Sequence, residues 1–561
     1  MSKTLKFDAA LRPVLDALPA GKEAEICRKF QVPPITMDPM KLLDFLNGFN
    51  TGLAFFWKPH MVTGQPLLSA IHPDNPIPIV SEEEWMSADF IDRGREADPS
   101  RSVLDQLWDL ATTIPYNPTR SVNAVNSIAV GSIGVNDCYC VSAANLSNRC
   151  FYTYAIISAD DCIDVGNGIR LSRCFSCGGS NELADCAYTF ESRACNSSSF
   201  LFDCWNCEFC FGATNQRNKR YIFFNEQLTK EAYEEKMHDI DLGDSLQADA
   251  YWQKFLAQWK TEGVWPEALG YGNTDAKGEH LFGSVRCTEC YWQSKSVDCY
   301  RCRFGVENNG CAYTSGEGFE QDCYMCTGGT YGAQNKFCVG PSKCMNCEYC
   351  YNCRDCEYCF GCVALQRKKF CIFNKQYTEA EYWPRVDALK SKMLAEGEYG
   401  QFFPAKFSPS GFQYSAGEIY VGYSKEQLEE FGAPSFDPRR GQVLAPSPVE
   451  ASVIEAGDLP MNVDAVDPAK HVGKPIHDAE LDRRYTIFPA EMAVYKQRRW
   501  PLPRKHFVSR LTELVRLSNS PHTQPATCGS CQQAIVTYKN FSFPERTVYC
   551  NSCYLKFLET R

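Results

Sequence analysis

Histidine and recognisable catalytic motifs are scarce in this chain. Only 8 of its 561 residues are histidine, so nucleophile–base pairs built on histidine have few places to form. No zinc-protease, nucleophile-elbow, phosphate-loop or dinucleotide-binding motif occurs. Asp160, Asp161 and Asp164 form a local acid cluster of the kind that can cleave glycans, but a loop at a turn explains them equally well. We therefore predict that the protein is not an enzyme.

Long apolar runs and excess positive charge are also absent. No apolar run approaches the roughly 20 residues that a membrane-spanning helix needs. The N-terminus lacks the apolar stretch and cleavage site of a secretory signal. The formal net charge of −11 argues against wholesale coating of nucleic acid or of an anionic membrane. We expect a cytoplasmic protein without a membrane partner.

Cysteine, by contrast, is abundant. The chain has 32 cysteines, a number typical of disulfide-rich secreted domains, but such domains are small and exported. We therefore expect thiols, thiolates and metal ligands rather than a disulfide framework.

The cysteines recur with a period of twelve residues. The first series is interrupted at Ser198 and comprises Cys138, Cys150, Cys162, Cys174, Cys186 and Cys210. The second series is interrupted at Asn335 and comprises Cys287, Cys299, Cys311, Cys323, Cys347, Cys359 and Cys371, most of them with a partner cysteine three residues later. A shift of 149 residues places nine cysteines of the first block on nine of the second, which indicates an internal duplication.

A period of twelve excludes an α-helix as its source, because a step of twelve would rotate each cysteine about 120° around the helix axis. In a β-solenoid, a coil of constant length returns equivalent residues to one place, about 4.8 Å apart. Asn, Asp and Gly between the cysteines supply the positive φ angles that corners need. We therefore predict a mainly β fold with helical connectors and two tandem cysteine-ladder β-solenoid blocks, similar to a parallel β-helix. Coils of twelve and of twenty-four residues both fit the spacing.

Three interpretations of the cysteine ladder are open. Cysteine can be a small buried filler of a narrow core, neighbouring steps can hold zinc or an iron–sulfur cluster, or disulfides can join the steps. The quartets with metal-ligand spacing are Cys347, Cys350, Cys359 and Cys362, and Cys287, Cys290, Cys299 and Cys302. We favour the filler interpretation, because evenly repeated cysteines form too many quartets, whereas a metal site usually has one isolated set.

Four cysteines near the C-terminus form such an isolated set. Cys528 and Cys531 are separated from Cys550 and Cys553 by eighteen residues, and two C-x2-C pairs of this kind bind one zinc ion in a zinc ribbon. The residues between the pairs alternate as in a short hairpin. Because cysteine fills all four positions, we predict one structural Zn²⁺ and no open catalytic position.

Positive charge is concentrated ahead of this zinc site. Residues 483–516 contain nine Lys or Arg and two Glu, a local charge of +7 that leaves −18 on the rest of the chain. Tyr485, Tyr495, Trp500 and Phe507 alternate with the basic residues, a combination suited to nucleic-acid phosphates and bases. The candidate contacts are Arg498, Arg499, Arg504 and Lys505. A helical hairpin with a solvated basic face is the alternative that we favour.

These features divide the chain into seven regions. They are an N-terminal α/β region (1–125), a first solenoid block (126–225), a helical connector (226–280), a second solenoid block (281–376), a helix with a Pro/Gly-rich extended stretch (377–475), a basic segment (476–525) and the zinc ribbon (526–561). Apolar spacing predicts an amphipathic helix at Val103–Ala111. Thr378 and Glu381 predict a capping box.

Several segments resemble a family of uncharacterised zinc-ribbon proteins with cysteine-rich repeats, common in uncultivated, small-genome bacterial lineages. The similar segments read PIPIVSEEEWMSADF, CFG with NKQYTEAEY, GQFFPAKFSP, PLPRK and CGSC with ERTVYCNSCY. Relatives tend to carry two further C-x2-C pairs, of which this chain keeps Cys27 at the first and has His506 and Ser509 at the second. The resemblance implies an architecture but no activity.

The sequence therefore predicts an interaction or scaffold protein that presents its solenoid faces to a protein partner or to a second copy of itself. Two alternatives are open. One is an RNA- or ribosome-associated zinc protein that uses the basic segment 483–516. The other is a metal-storage or iron–sulfur redox protein that uses the cysteine ladder.

Overall fold

The computed structural model describes residues 5–561 except 122, 133, 143, 145–146, 149, 153, 155–158, 161–162, 169–170, 173–174, 181–182, 185–186, 438–439 and 442–452. No side chain is described at 159–160, 164–165, 167–168, 171–172, 175–180 and 183–184. Helices account for 29% and strands for 26%, arranged in several small sheets. Strand is thus less abundant than a mainly β fold predicts, because much of the repeat pairs through isolated bridges rather than named strands.

The chain folds as two compact units, each built from two segments. One unit comprises Met1–Thr119 and Leu269–Gly441, and the other comprises Arg120–Ala268 and Gln442–Arg561. Each unit therefore contains one copy of the cysteine repeat.

The segment before the first repeat is mainly helical. Its elements are α1 (Lys6–Asp16), α2 (Lys22–Phe30), α3 (Pro39–Asn47), β1 (Phe56–Pro59), β2 (Pro66–Ser69), α4 (Glu82–Ser87) and α5 (Val103–Ala111). β1 and β2 pair antiparallel. The helix predicted at Val103–Ala111 is confirmed with the same bounds.

The first repeat consists of short strands followed by helices. Its strands are β3 (Ile128–Val130), β4 (Tyr139–Ser142), β5 (Ala159–Asp160), β6 (Ile163–Gly168), β7 (Leu171–Ser172), β8 (Phe175–Ser180), β9 (Leu183–Ala184), β10 (Ala187–Phe190), β11 (Ser199–Phe202), β12 (Glu208–Thr214), β13 (Arg220–Phe223) and β14 (Glu226–Gln227). The connector after it contains α6 (Lys230–His238), α7 (Ser245–Glu262) and β15 (Val264–Pro266).

The second repeat has the same organisation. Its strands are β16 (Gly270–Tyr271), β17 (Lys277–Phe282), β18 (Thr288–Ser294), β19 (Arg303–Val306), β20 (Ser315–Gly318), β21 (Glu357–Phe360), β22 (Lys369–Ile372) and β23 (Lys375–Gln376). The helices after it are α8 (Glu379–Ala395), α9 (Ala416–Tyr420) and α10 (Lys425–Glu430). The capping box predicted at Thr378 and Glu381 begins α8 and is confirmed.

The C-terminal segment mixes short strands and helices. Its elements are β24 (Ile454–Glu455), α11 (Pro468–His471), β25 (Ile476–Asp478), β26 (Arg483–Tyr485), α12 (Pro489–Arg498), α13 (Phe507–Leu517), β27 (Thr523–Thr527), β28 (Ala534–Tyr538), β29 (Thr547–Tyr549) and α14 (Asn551–Leu558). Short 3-10 helices lie at Ile91–Arg93, Ala405–Phe407, Phe412–Tyr414, Ala456–Asp458 and Val463–Ala465.

Both repeats pair in parallel with a step of twelve residues, except at the start of each, where the step is eleven. In the first, Ala187 pairs with Ser199; in the second, Met345 is bridged to Glu357. The Met345 N–H donates to the carbonyl of Cys356 at 2.9 Å, and the Met345 carbonyl accepts from the Tyr358 N–H at 3.1 Å. The step is therefore twelve residues, not twenty-four. We call the paired residues 125–223 the first ladder and 270–372 the second ladder.

A period of three lies inside the period of twelve. From Arg286 to Phe373, every third residue has a positive φ, between 45° and 70°. The residue that follows each of these is buried throughout Cys287 to Leu365. The chain thus turns every three residues, and the second ladder has four buried columns with four outer faces between them.

Two adjacent outer faces of the second ladder are covered by its own unit. Tyr313, Tyr349 and Tyr351 lie on these faces and share one hydrophobic core with α1, α2, α3, α5 and α8. The other two faces carry exposed residues. On one of these two faces, a column of residues twelve apart is exposed along its whole length. This outer column comprises Lys295, Glu307, Phe319, Tyr331, Lys343, Asp355 and Arg367.

Candidate metal centre

The four C-terminal cysteines come together in space. Cys528, Cys531, Cys550 and Cys553 place their sulfur atoms within 4.8 Å of one another, and the Sγ atoms of Cys531 and Cys550 are 3.8 Å apart. Cys528 and Cys550 are buried, whereas Cys531 is exposed. Among the described residues, this is the one group of three or more cysteine, histidine or carboxylate side chains close enough to hold a metal ion.

Local backbone structure positions each pair. β27 and β28 pair antiparallel, and the turn between them carries Cys528 and Cys531. The Cys528 N–H donates to the Gln533 carbonyl at 2.8 Å, and Gln532 takes a φ of +62°. Cys550 is the N-cap of α14, so Cys553 lies in the first turn of that helix. Helix N-termini favour negative charge, which suits a thiolate.

The predicted hairpin between the two cysteine pairs is wrong. β28 pairs with β27, whereas β29 pairs in parallel with β15, which precedes the second ladder. Alternation between the pairs did predict strands there, but pairing partners depend on contacts outside that stretch.

The electrostatics of the four cysteines favour a bound cation. Burial raises the pKa of Cys528, but N–H groups of Cys531, Cys550 and Ser530 outweigh it and lower that pKa to about 6. The Gln533 N–H favours the Cys531 thiolate, yet the neighbouring sulfurs of Cys528 and Cys553 raise its pKa to about 11. Four thiolates this close repel one another unless a cation lies between them. The four cysteines can therefore hold a metal ion.

Buried contacts attach this cluster to the first ladder. The Tyr554 hydroxyl in α14 donates to the carboxylate of Asp203, which is 2.8 Å from the Arg217 guanidinium. Asn215 exchanges two 2.9 Å hydrogen bonds with the backbone of Val264 in β15. The metal-binding module is therefore part of its unit's core. The sequence offered no signal for this network, because its members are far apart along the chain.

Aromatic side chains pack the loop between the two cysteine pairs against α7 and β15. The ring of Phe543 lies 4.5 Å from that of Trp259 in α7, and Trp259 stacks beside Trp265 of β15. All three side chains are buried. Aromatic burial of this extent dominates local packing energy.

The two ladder quartets do not form a comparable group. All eight cysteines are buried. Neither set brings its sulfur atoms within 4.8 Å of one another, as the C-terminal cysteines do. The two sets are Cys347, Cys350, Cys359 and Cys362, and Cys287, Cys290, Cys299 and Cys302. Their thiols point to backbone carbonyls instead. Cys347 Sγ donates to the carbonyls of Met345 at 3.4 Å and Cys356 at 3.7 Å. All described cysteines are free, so no disulfide joins these steps.

Some sequence-predicted residues lie outside the described part of the chain. These are Cys162, Cys174, Cys186 and Asp161, together with the side chains of Cys177, Asp160 and Asp164. The acid cluster therefore has no described geometry.

The candidate nucleic-acid contacts are mostly engaged within their own unit. Arg499 is 2.7 Å from both Asp241 and Asp464. Arg504 donates to the backbone carbonyls of Ala456 and Leu459. Lys505 pairs with Glu480 and Glu513. Arg498 also has a partner of its own.

The aromatic residues of the basic segment are not surface groups. Tyr485, Tyr495, Trp500 and Phe507 are all buried. Their rings support the packing of α12 and α13, which leaves none of the four free to stack on a base.

Sequence reasoning missed two buried glutamates inside the second ladder. Glu317 and Glu320 occupy interior columns where cysteine stands at other steps, and both are buried. Above them, Gly329 and Gly332 leave the room that their side chains fill. The three-residue period places residues 317 and 320 in the same register as Cys311 and Cys323, and this period becomes visible in the backbone φ angles.

None of the described helices combines the length and the apolar character that a bilayer crossing requires.

Compared with models of known protein families, the chain matches none. Compared with curated protein sequences, it again matches none.

Proposed function

We propose that this protein is a zinc-binding structural scaffold whose ladders are β-solenoids and whose exposed solenoid faces bind a protein partner, which is a second copy of the chain. The observation that carries the proposal is an exposed apolar patch on the second ladder.

The parallel pairing supports the solenoid part of the proposal. A parallel step of twelve residues, with a turn at every third residue, brings the chain around once per step. One coil would then be a square with four short sides. Such stacking leaves long, regular outer faces, which repeat proteins use as binding surfaces.

Zinc is the ion that the four-cysteine cluster suits best. A closed set of four thiolates is the usual donor set of structural zinc. Cysteine occupies all four positions, so no place is open for a substrate or a water nucleophile. The proposed role of the metal is to hold α14 and β29 against the first ladder.

The interaction patch lies on the exposed outer column of the second ladder. The rings of Phe319 and Tyr331 stack with centroids 4.7 Å apart and are 42% and 54% exposed. Met345, on the neighbouring face, is 44% exposed. Charged residues precede and follow the aromatic pair in its column, at Glu307 and Lys343.

An apolar centre with charged flanks is the usual anatomy of a protein interface. A two-fold dimer needs only one patch that fits itself, and apolar side chains meet this condition without charge complementarity. Large exposed aromatic side chains are also among the commonest anchors of such contacts.

Sedimentation velocity of the full chain tests the proposal. We expect a concentration-dependent dimer for the wild-type protein and a monomer for the double variant Phe319→Asn/Tyr331→Asn. Asparagine is chosen because it tolerates the left-handed backbone that both positions adopt. The variant should therefore keep the coil and lose only the rings.

Arg367→Asn is the matched control, since Arg367 lies in the same outer column with the same left-handed φ, three steps beyond Tyr331. It should dimerise like the wild type. A wild-type protein that stays monomeric at every concentration, or a double variant that still dimerises, would contradict the proposed interface.

A further inference from the structure

The unit that contains the second ladder also has a half-open cavity of about 480 Å³. Its floor is the second ladder, and its walls are the end of α2 and one side of α8. Voids in a packed protein rarely exceed the size of a water molecule, whereas ligand pockets usually measure roughly 300–1,000 Å³. The cavity therefore has the size of a small-molecule site.

Two lysines and one glutamate form a charged cluster in the lining of the cavity. The ammonium groups of Lys336 and Lys390 lie 3.0 and 2.9 Å from the same carboxylate oxygen of Glu348. The Tyr399 hydroxyl donates to the other oxygen at 2.8 Å. One carboxylate thus serves two ammonium groups, and these three groups together carry a charge of +1. The Lys336 ammonium also donates to the Phe30 carbonyl at 3.2 Å and to the Tyr399 hydroxyl at 3.4 Å.

The charges of the remaining charged residues of the lining, Lys29 and Asp322, cancel each other. Lys29 pairs with Asp322 at 2.6 Å. The excess positive charge is therefore localised at Lys336 and Lys390, whose side chains are only 14% and 13% exposed. Burial lowers the pKa of Lys336 although Glu348 and, more weakly, Asp8 raise it, and Lys390 lowers it further. An additional anion would relieve this imbalance.

Aromatic rings and amide groups form the rest of the lining. Phe360 and Tyr382 are buried, and Trp383 at the rim is 39% exposed. The ring of Trp383 lies 5.5 Å from that of Tyr358. Gln334 and Asn346, one step apart in the ladder, add side-chain amides that can donate and accept hydrogen bonds.

We propose that this cavity binds a small organic anion that carries a planar aromatic ring. The anionic group lies against Lys336 and Lys390, and the ring lies between the aromatic side chains of the ladder and of α8. A buried ammonium pair favours a carboxylate or phosphate through charge-assisted hydrogen bonds, and aromatic walls favour a flat ring. This inference does not depend on the proposed dimer.

Isothermal titration calorimetry with 2-naphthoate tests the inference on the full chain. We expect saturable binding to the wild-type protein. Binding of 2-naphthamide, which has the same ring but no charge, should be about tenfold weaker, as expected for loss of one charge-assisted contact. Lys390→Met should weaken 2-naphthoate binding by a similar factor.

Glu348→Gln should strengthen 2-naphthoate binding, whereas Lys390→Met should weaken it. Glu348→Gln removes the carboxylate that competes for both ammonium groups, so 2-naphthoate should bind more tightly than it does to the wild type. A merely damaged pocket would bind more weakly in both variants. Lys343→Met, an exposed lysine of the same ladder outside the cavity, is the matched control and should bind like the wild type.

Three results would overturn the inference. They are no saturable binding of 2-naphthoate at concentrations on the order of 1 mM, which corresponds to about 4 kcal/mol, equal affinity for 2-naphthoate and 2-naphthamide, and unchanged affinity in Lys390→Met.

Discussion

At the interior positions of the second ladder, cysteine meets two requirements at once. The space inside is narrow, and cysteine is small and weakly polar. Backbone carbonyls also point toward the interior, and the thiol of Cys344, for example, donates to the backbone carbonyl of Cys353 at 3.2 Å. Alanine would fill the space without reaching the carbonyl. This explains a row of cysteines without assigning them a metal.

Glu317 and Glu320 depart from this rule at the same interior positions. Burial raises the pKa of Glu317 well above its usual value and that of Glu320 to about 7. Neither carboxylate oxygen of Glu317 has a hydrogen-bond partner among the described residues. Glu320 accepts from the Gly332 N–H at 3.0 Å and from the Cys323 thiol at 2.9 Å. Burial therefore favours the protonated form of both acids, although the two donors to Glu320 oppose it.

The raised pKa of Glu320 predicts a pH dependence of stability. Because the folded pKa is higher than the unfolded one of about 4.5, its contribution is complete below pH 4.5 and is lost as pH rises through about 7. Glu320→Gln keeps an acceptor for Gly332 and should remove this loss. We expect the variant to exceed the wild type by about 3 kcal/mol in free energy of unfolding at pH 8, measured by urea denaturation.

At pH 4, where the wild-type carboxyl is protonated in both states, the two proteins should differ little. Glu307→Gln changes an exposed glutamate of the same ladder and should leave the pH profile unchanged. A Glu320→Gln protein that loses stability between pH 4 and 8 as steeply as the wild type would show that the carboxyl does not titrate as proposed.

At the level of the elements, the repeat could be predicted and its inner period could not. Cysteines twelve residues apart indicated parallel stacking, which the pairing confirms. The period of three was hidden because interior positions such as Gln293, Gly305 and Glu317 do not look like core residues. Only the positive φ at every third residue makes that period visible.

The metal site, too, could be predicted only in part from the sequence. The spacing of Cys528, Cys531, Cys550 and Cys553 predicted their cluster, because a metal site needs residues of one type at short intervals. Its attachment through β15 could not be predicted, since the whole second ladder lies between β15 and β29 in the sequence. The cavity of Lys336, Glu348 and Lys390 was missed for the same reason.

Helix α14 depends on a buried hydrogen bond to the first ladder, and this predicts the effect of Tyr554→Phe. The variant loses the donor to Asp203 while Arg217 and Asn215 still contact that carboxylate. A buried acceptor that loses one donor costs about 1–3 kcal/mol. We expect a lower urea midpoint and faster metal release to a chromophoric chelator.

Tyr549→Phe in the neighbouring β29 is the matched control for this experiment, because Tyr549 is only partly buried. It should release metal at the wild-type rate. Identical behaviour of the two variants would mean that the Tyr554 hydroxyl does not hold α14 in place.

For the whole molecule, the two kinds of cysteine predict opposite responses to metal removal. The four C-terminal thiols need a cation to lie together, whereas the ladder thiols are satisfied by carbonyls. Elemental analysis should find one zinc per chain. A strong chelator should then abolish amide-exchange protection in 523–561 and in β15, because zinc supplies roughly 10–16 kcal/mol to modules of this kind.

The second ladder should keep its protection in the same sample, since its parallel hydrogen bonds and interior thiols involve no metal. Hydrogen exchange followed by mass spectrometry reads both regions in one experiment. Several metals per chain, or loss of protection at 286–373 on chelation, would mean that the ladder cysteines are ligands rather than filler. Loss confined to the C-terminal module and β15 would assign the metal to Cys528, Cys531, Cys550 and Cys553, with the ladders folding on backbone pairing and thiol packing.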